Sequence, residues 1–344
     1  MTAARAAEPW LATGSVIVQQ QALKDFALAM ANFFAGTHRR PTWRRAGKDE
    51  GFRIVAMKPG NVRRISRNVG QVRIPKVGWV RFRWSRAVPR AKSYRVTRDR
   101  AGRRHVAFAV APPPLAGPGT GSVVGVDRGV VVSAALSTGE LLRVPGLRET
   151  EARRLRLLRR RLARARPGSR RRAGTKAALA RLHARAADRR KDWVEKTSTA
   201  LATRFDVIAV EDLKIANMTR SARGTRSAPG RGVTAKAALN RGILASGWGQ
   251  LVRRLDQKAP GRVVKVKAAY TSQRCSACGN LDRKARESQA VFRCGPCGFV
   301  GNADVNAALN VGNAARHAVA AREGLWDAGP THREPHLAHL RSFA

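Results

Sequence analysis

Four cysteines carry the clearest chemistry in the chain. Cys275-Ser-Ala-Cys278 is followed, after fifteen residues, by Cys294-Gly-Pro-Cys297. Two CxxC pairs at that separation suit a tetrahedral zinc site of four thiolates, each pair forming one tight knuckle. Gly279, Gly295 and Gly298 stand beside the cysteines, where knuckle turns need a permissive backbone. Four thiolates close the coordination sphere, so Cys275, Cys278, Cys294 and Cys297 are expected to hold a structural Zn²⁺ that organises rather than catalyses. Disulfides would need an oxidising compartment, and Met1 to Trp10 does not read as a secretory signal.

Three acids form a second constellation. Asp127 ends the apolar run Val123-Val-Gly-Val-Asp127, and Glu211 ends Val207-Ile-Ala-Val-Glu211. Asp304 follows Cys297 by seven residues, at the start of the last helical pattern. Each has a local alternative: a turn residue, a strand-end charge, a helix N-cap. Converging, they could hold two Mg²⁺ ions about 4 Å apart, which activate water and stabilise the leaving oxygen in phosphodiester cleavage. Acids are scarce here. The 344 residues carry 22 Asp plus Glu against 68 Lys plus Arg, a formal charge of +46, which gives three acids at such positions more weight.

That imbalance points to a polyanionic partner, nucleic acid first. Of the basic residues 54 are Arg and 14 Lys; GC-rich codon usage can account for Arg over Lys but not for the missing acids. The hydrophobic fraction of 43% is ordinary, so a core can form, and the length suits two or three domains. No uninterrupted apolar run reaches the ~18 residues of a spanning helix. A soluble, intracellular protein with no membrane partner is expected.

The elements that must position these residues can be read from periodicity. Residues 15–35 form an amphipathic helical pattern, with Ser15 placed to cap it and Gly36 to end it. A basic link through Arg44 and Arg45 follows, then short alternating segments from Phe52 to Val110 that read as a β-rich module with Arg on one face. Its Trp79, Phe82 and Trp84 are either core or a stacking platform for nucleic acid. The Pro- and Gly-rich stretch 112–121 reads as a linker without a nucleotide-binding loop. Strands are expected at 122–127, 130–136, 205–211 and 263–266, and helices at 150–166, 175–203, 240–258 and about 304–322, with 216–240 a mobile loop. Residues 151–191 hold 17 Lys or Arg and 2 acids, a single-signed run suited to phosphate contact. His332, His336 and His339 in the tail after Gly324 could ligate metal or simply belong to an unstructured end.

The motifs Val-Gly-Val-Asp127-Arg-Gly, Val-Glu211-Asp-Leu, Tyr270-Thr-Ser-Gln-Arg-Cys-Ser-Ala-Cys-Gly and Asn302-Ala-Asp304-Val-Asn-Ala-Ala together resemble the TnpB/OrfB family of transposon-encoded, RNA-guided endonucleases, which also resemble small type V CRISPR effectors. The resemblance covers residues from about 10 to 322. It implies an α/β, RNase H-like (RuvC) nuclease domain with an inserted zinc ribbon, preceded by a β-rich wedge-like module and a short helical recognition segment. Residues 1–50 would be a partial recognition segment, 51–111 the wedge-like module holding guide RNA, and 112–121 a linker. Residues 122–269 would be the first part of the nuclease core, with the basic hairpin 150–203 lining the heteroduplex channel. Residues 270–303 would be the ribbon, 304–323 the final core helix and 324–344 a disordered tail. Asp127, Glu211 and Asp304 would be the catalytic, magnesium-binding acids; the partners implied are guide RNA and target DNA, in the cytoplasm at the nucleoid. Family members begin with a further wedge strand and recognition helices, so an N-terminally truncated member is expected. The alternatives are a cleavage-deficient relic or guided repressor of the same family, or a structural zinc-ribbon RNA-binding protein.

Overall fold

A computed structural model describes residues 1–43 and 50–324. Arg44 and Arg45, the histidines at 332, 336 and 339 and the tail expected to be unstructured lie outside the described residues. The described chain divides into two compact units, Met1–Pro112 with Leu147–Arg185, and Pro113–Gly146 with Ala186 onward.

The first unit opens with helices α1 (Thr2–Ala7), α2 (Pro9–Thr13) and α3 (Val16–Phe34). Strands β1 (Gly51–Val55), β2 (Val62–Arg64), β3 (Val69–Ile74), β4 (Gly78–Arg83), β5 (Ser93–Arg98) and β6 (Arg104–Phe108) follow. They make two antiparallel three-stranded sheets, ordered β1-β5-β6 and β2-β3-β4. Ile54, Val72, Ile74 and Tyr94 form the core between them. Tyr94 crosses from one sheet to the other, its Oη donating to Arg73 O at 2.7 Å, and burial pushes its phenol up to about 12. On the basic hairpin, α4 (Glu149–Arg164) and the early turns of α5 (Arg170–Arg204) meet through Leu155, Leu158 and Leu182. A narrow apolar seam is enough because the arginines need only water or a partner around them.

Helix α3 turns less of its apolar face inward than its periodicity suggests. Ile17 and Val18 pack on the sheet core, and Gln21 accepts from Arg53 Nη2 at 2.6 Å. Leu23, Phe26 and Phe34 stay exposed, because β1 offers a surface only one strand wide and five residues long. Phe26 stacks on Trp43 with ring centroids 5.5 Å apart.

The second unit is built on one mixed sheet. β7 (Val123–Asp127), β8 (Ala134–Leu136) and β9 (Leu141–Leu142) run antiparallel in sequence, while β10 (Val207–Glu211) and β11 (Val263–Val266) add parallel to β7, giving the order β11-β10-β7-β8-β9. Strand alternation sends Val124, Val126, Ile208 and Val210 to one face. There they pack on Leu201 of α5 and on Leu251 and Leu255, which belong to the third helix after β10. Three helices follow β10: α6 (Ile215–Met218), α7 (Val233–Ser246) and α8 (Trp248–Lys258). The other face takes α9 (Ala303–Gly324), with Val311 and Ala315 on Ala209 and Val266. Between β11 and α9 the short hairpin β12 (Val291–Arg293) and β13 (Val300–Asn302) carries the cysteines.

Three local expectations are corrected. The strand expected at 130–136 begins only at Ala134, because Gly129 and the exposed Val130 and Val131 form a turn whose carbonyl at Gly129 accepts from Trp248 Nε1. The helix expected at 240–258 is two helices, broken at Gly247 in the left-handed conformation (φ 74°), and Leu244 faces solvent. The stretch expected as a mobile loop at 216–240 contains α6 and the first turns of α7. Within 112–121 the backbone is tied down: Asp206 accepts from Gly119 N and Thr120 N at 2.9 and 2.8 Å, and Leu115 N donates to Lys258 O at 2.7 Å. Turn residues marked these breaks in the sequence; the distant partners that order the segments did not show in it.

Helix α9 meets β7 backbone to backbone. A Cβ on Gly125 would lie 1.9 Å from Ala308 O and 2.5 Å from Gly312 N, both backbone atoms with no freedom to move aside. Gly125→Ala is therefore expected to lower stability by about 3 kcal/mol. Gly174→Ala, in α5 with open space around it, should raise stability by ~1 kcal/mol. Thermal unfolding of the two variants checks this pair; a tolerated Gly125→Ala would show that α9 is not seated as described.

Candidate active site and metal centre

Parallel pairing puts two of the acids side by side. Val126 of β7 is in register with Val210 of β10, so Asp127 and Glu211 are the next residues along two adjacent strands, at their C-terminal ends. Such ends are where open α/β sheets place their ligands. Asp304 comes to the same place from the opposite direction, in the first turn of α9, which lies across β7. The structure therefore brings the three predicted acids together. Asp304 is not the helix cap: Asn302 Oδ1 accepts from Asp304 N and Val305 N at 3.0 and 3.1 Å, leaving the aspartate carboxylate free to face the strand ends.

Glu211 and Asp304 are almost fully buried, at 8% and 6% exposure, which water alone cannot stabilise. Protein groups do part of that work. Thr271 Oγ1 donates to Glu211 Oε1 at 2.7 Å, and Arg286 Nη2 donates to Asp304 Oδ1 at 2.8 Å. Arg128, 5% exposed, donates through Nη2 to the carbonyl of Glu211, and its Nε has no partner among the described residues. Burial pulls the Arg128 guanidinium down from its ordinary range, while the charges of Glu211, Asp127 and Asp212 hold it up. For Asp127, burial first and then the charges of Glu211 and Asp304 push the carboxyl up to about 7. Asp127 thus lies within the field of the other two acids, and hard carboxylate oxygens are the donors that Mg²⁺ selects. Among the described residues only the four cysteines already lie at mutual metal-ligand distance. The acids, two of them held by Thr271 and Arg286, face one another more openly.

A clamp on α9 fixes this arrangement. Asn306 Oδ1 accepts from Ser276 N at 2.8 Å and its Nδ2 donates to Arg274 O; Asn310 Nδ2 donates to Thr271 O and Arg274 O at 2.9 and 2.7 Å. Residues 271–276, which lead into the first cysteine knuckle, are thereby bolted to the helix that carries Asp304. Tyr270, just before them, is held in the left-handed region at φ 66°, a conformation that costs a non-glycine residue ~1 kcal/mol and persists only when its neighbours dictate it. Roles for Arg128, Thr271, Arg286, Asn306 and Asn310 were missed from the sequence. The one available signal was Asn302, Asn306 and Asn310 at four-residue intervals, a polar stripe on one face of an otherwise alanine-rich helix.

The cysteines meet the geometric test for zinc. Their sulfurs all lie within 4.8 Å of one another, with Cys275–Cys297 at 3.7 Å and Cys278–Cys294 at 3.6 Å. A tetrahedron with Zn–S bonds of about 2.3 Å has edges of ~3.8 Å. Cys275 and Cys294 also sit in the small core of the ribbon with Phe292, Ala285 and Ala303. These four could hold Zn²⁺, and the ion would replace much of the core that so small a hairpin lacks.

Two family models match the stretches that carry the acids and the cysteines. Residues 93–222, which include Asp127 and Glu211, match the family model OrfB/IS605, described as "Probable transposase". Residues 248–311, with the four cysteines and Asp304, match "Cas12f1-like, TNB domain". The chain is 36% identical over 336 residues to the "Putative RNA-guided DNA endonuclease InsQ" of Escherichia coli (strain K12), covering 95% of this chain and 81% of that one. A "Putative RNA-guided DNA endonuclease" of Streptomyces pristinaespiralis is 30% identical over 324 residues, 92% of this chain and 75% of the other. A shorter stretch of 55 residues, 16% of this chain and 13% of the other, is 51% identical to Cas12f1 of Sulfoacidibacillus thermotolerans. Among solved structures, the "Cas12f1-sgRNA-target DNA complex" aligns over 83% of this chain and 68% of that one with a TM-score of 0.49 and 15% identity. The chain belongs to the TnpB/OrfB family, that of InsQ.

Two outcomes follow from the site. The folded protein keeps the Asp127 proton up to about pH 7, whereas the unfolded chain loses it near its ordinary value of 3.8. Without added Mg²⁺, stability should therefore fall as pH rises from about 4 to about 7, and Asp127→Asn should flatten that slope in urea unfolding of zinc-loaded protein. Equal slopes would mean that the folded protein does not hold the Asp127 proton above its ordinary range. Metal analysis should also find about one zinc per chain, lost in Cys294→Ser together with order in residues 271–302.

Proposed function

We propose that the protein is an RNA-guided, Mg²⁺-dependent DNA endonuclease of a mobile element, working through Asp127, Glu211 and Asp304. The observation that carries this reading is the convergence of three carboxylates at the ends of β7 and β10 and the start of α9, where burial first and then the charges of the other two push the Asp127 carboxyl up to about 7. The strand order β11-β10-β7-β8-β9, three antiparallel strands followed by two parallel ones, supports an RNase H-like core for residues 122–269 and 304–323, with 270–303 as an inserted ribbon. The relatives named as RNA-guided DNA endonucleases support guide RNA and target DNA as partners.

Within this reading, Asp127, Glu211 and Asp304 would hold Mg²⁺, which supplies Lewis-acid activation of water and stabilisation of the leaving oxygen. The rest falls to the chain. Thr271 fixes one Glu211 oxygen and leaves the other to turn toward Asp127. Arg128 pins the Glu211 backbone, keeping the end of β10 level with β7. Arg286 neutralises Asp304, and with Mg²⁺ held by the acids its guanidinium would be placed to serve a phosphate. The asparagine clamp passes the position of the ribbon to Asp304, so loss of any cysteine should displace that acid. The 17 Lys or Arg in residues 151–191 and the arginine-bearing strands of residues 51–111 would hold nucleic acid mainly by phosphate, with base pairing to the guide selecting the target.

The test is single-turnover cleavage of guide-matched DNA by purified ribonucleoprotein in Mg²⁺. Asp127→Ala and Glu211→Gln should each lower the rate by about 10³-fold or more while leaving RNA affinity intact. Undiminished cleavage would overturn the assignment. A wild-type complex that binds matched DNA without cutting it would instead make the protein a guided binder.

A further inference from the structure

Beside the second sheet of the first unit lies a cavity of about 410 Å³ that the proposed nuclease chemistry does not use. Its apolar wall is Trp84, with Val62 and Pro89; Lys58, Arg90 and Lys92 stand around it, and no carboxylate lines it. The indole is held in place. A Cβ on residue 70 would come within 2.4 Å of Trp84 Cε3, so Gly70 lets the ring lie down on β3, and Phe82 stacks beside it at 5.6 Å and 30°. The two chain segments that form the basic rim are tied together by Met57 N donating to Lys92 O at 2.9 Å. Of the three aromatics that the sequence set among arginines, Trp79 has the Arg63 guanidinium over its ring at 4.2 Å, Trp84 has that of Arg64 at 5.9 Å, and Phe82 packs on the sheet core. Trp84 is the one that lines a cavity.

The size excludes a duplex and falls in the range of small-molecule pockets, about 300–1,000 Å³. A rigid aromatic wall beside clustered cations matches a planar base attached to phosphates, since every base has a π-face and cations track the backbone. We propose that this cavity takes one unpaired nucleotide of a bound strand, its base against Trp84 and its flanking phosphates on Lys58, Arg90 and Lys92. The inference rests on the nucleic-acid reading above and adds a site to it: residues 57–92 would recognise an unpaired position in the strand as well as its charge.

Full-length protein is titrated with a fluorescent single-stranded RNA, and separately with DNA of the same sequence, across a salt series. Both strands carry 5-iodouracil, so that a base stacked on an aromatic residue can be crosslinked by light. The expected result is a crosslink at Trp84 in the wild type. Trp84→Ala should bind about tenfold more weakly with an unchanged salt slope, and Trp84→Phe should recover most of that loss. Replacing Lys58, Arg90 and Lys92 together by Ala should instead flatten the salt slope by about 2. A crosslink with RNA assigns the nucleotide to the guide, and one with DNA assigns it to the opened target strand. If strands bind but Trp84 neither crosslinks nor affects affinity, the pocket is wrong and the nucleic-acid reading stands. If neither strand binds, both fall.

Discussion

The contact of α9 with β7 is the constraint on which the second unit depends. Glycines at 125 and 312 let two backbones meet where any side chain on residue 125 would collide with the carbonyl of Ala308. Because the helix cannot slide on such a contact, the position of its first turn is set by the sheet, and Asp304 is delivered to the strand ends that carry Asp127 and Glu211. The same helix grips the segment entering the ribbon through Asn306 and Asn310. One rigid element thus registers three separate parts of the chain.

Charge explains the rest of the arrangement. In a chain of formal charge +46, acids are mostly drawn into ion pairs at the surface, as Glu140 is with Arg204 and Asp99 with Arg103 and His105. The three clustered acids differ because they are drawn toward one another. Their repulsion is met in part by the buried Arg128, by the Arg286 guanidinium from the ribbon and by the Thr271 hydroxyl, while burial first and then the charges of the other two acids raise the Asp127 carboxyl. A cluster of this kind is costly to keep unless something offsets its charge, and a bound divalent cation would do so.

Much of this was legible in the sequence, for identifiable reasons. The CxxC pairs were readable because four thiolates need close sequence spacing within each knuckle. Asp127 and Glu211 stood out because an acid after a run of buried valines has few ordinary explanations. The helices bearing strong charge or leucine periodicity fell within a few residues of α4 and α5. What stayed hidden depended on distant partners. Nothing near Arg286 in the chain says that it faces Asp304, and Gly125 reads as one more glycine until α9 lies on it. The break at Gly247 and the outward turn of Leu244 were hidden for a related reason: a glycine inside a helical pattern can either be carried or end the helix, and Arg190 and Val194 pack against the side it leaves open.

The central claim is that Asp127, Glu211 and Asp304 form one cation site whose binding is coupled to the Asp127 proton. Calorimetric titration of the zinc-loaded protein with Mn²⁺ at pH 6, in buffers of different ionisation enthalpy, measures affinity and proton release together. The account predicts saturable binding with the release of close to one proton per site, since Asp127 is still largely protonated at that pH, and loss of that release in Asp127→Asn. Saturable binding without proton release, or binding unchanged by Asp127→Asn and Glu211→Gln alike, would contradict it.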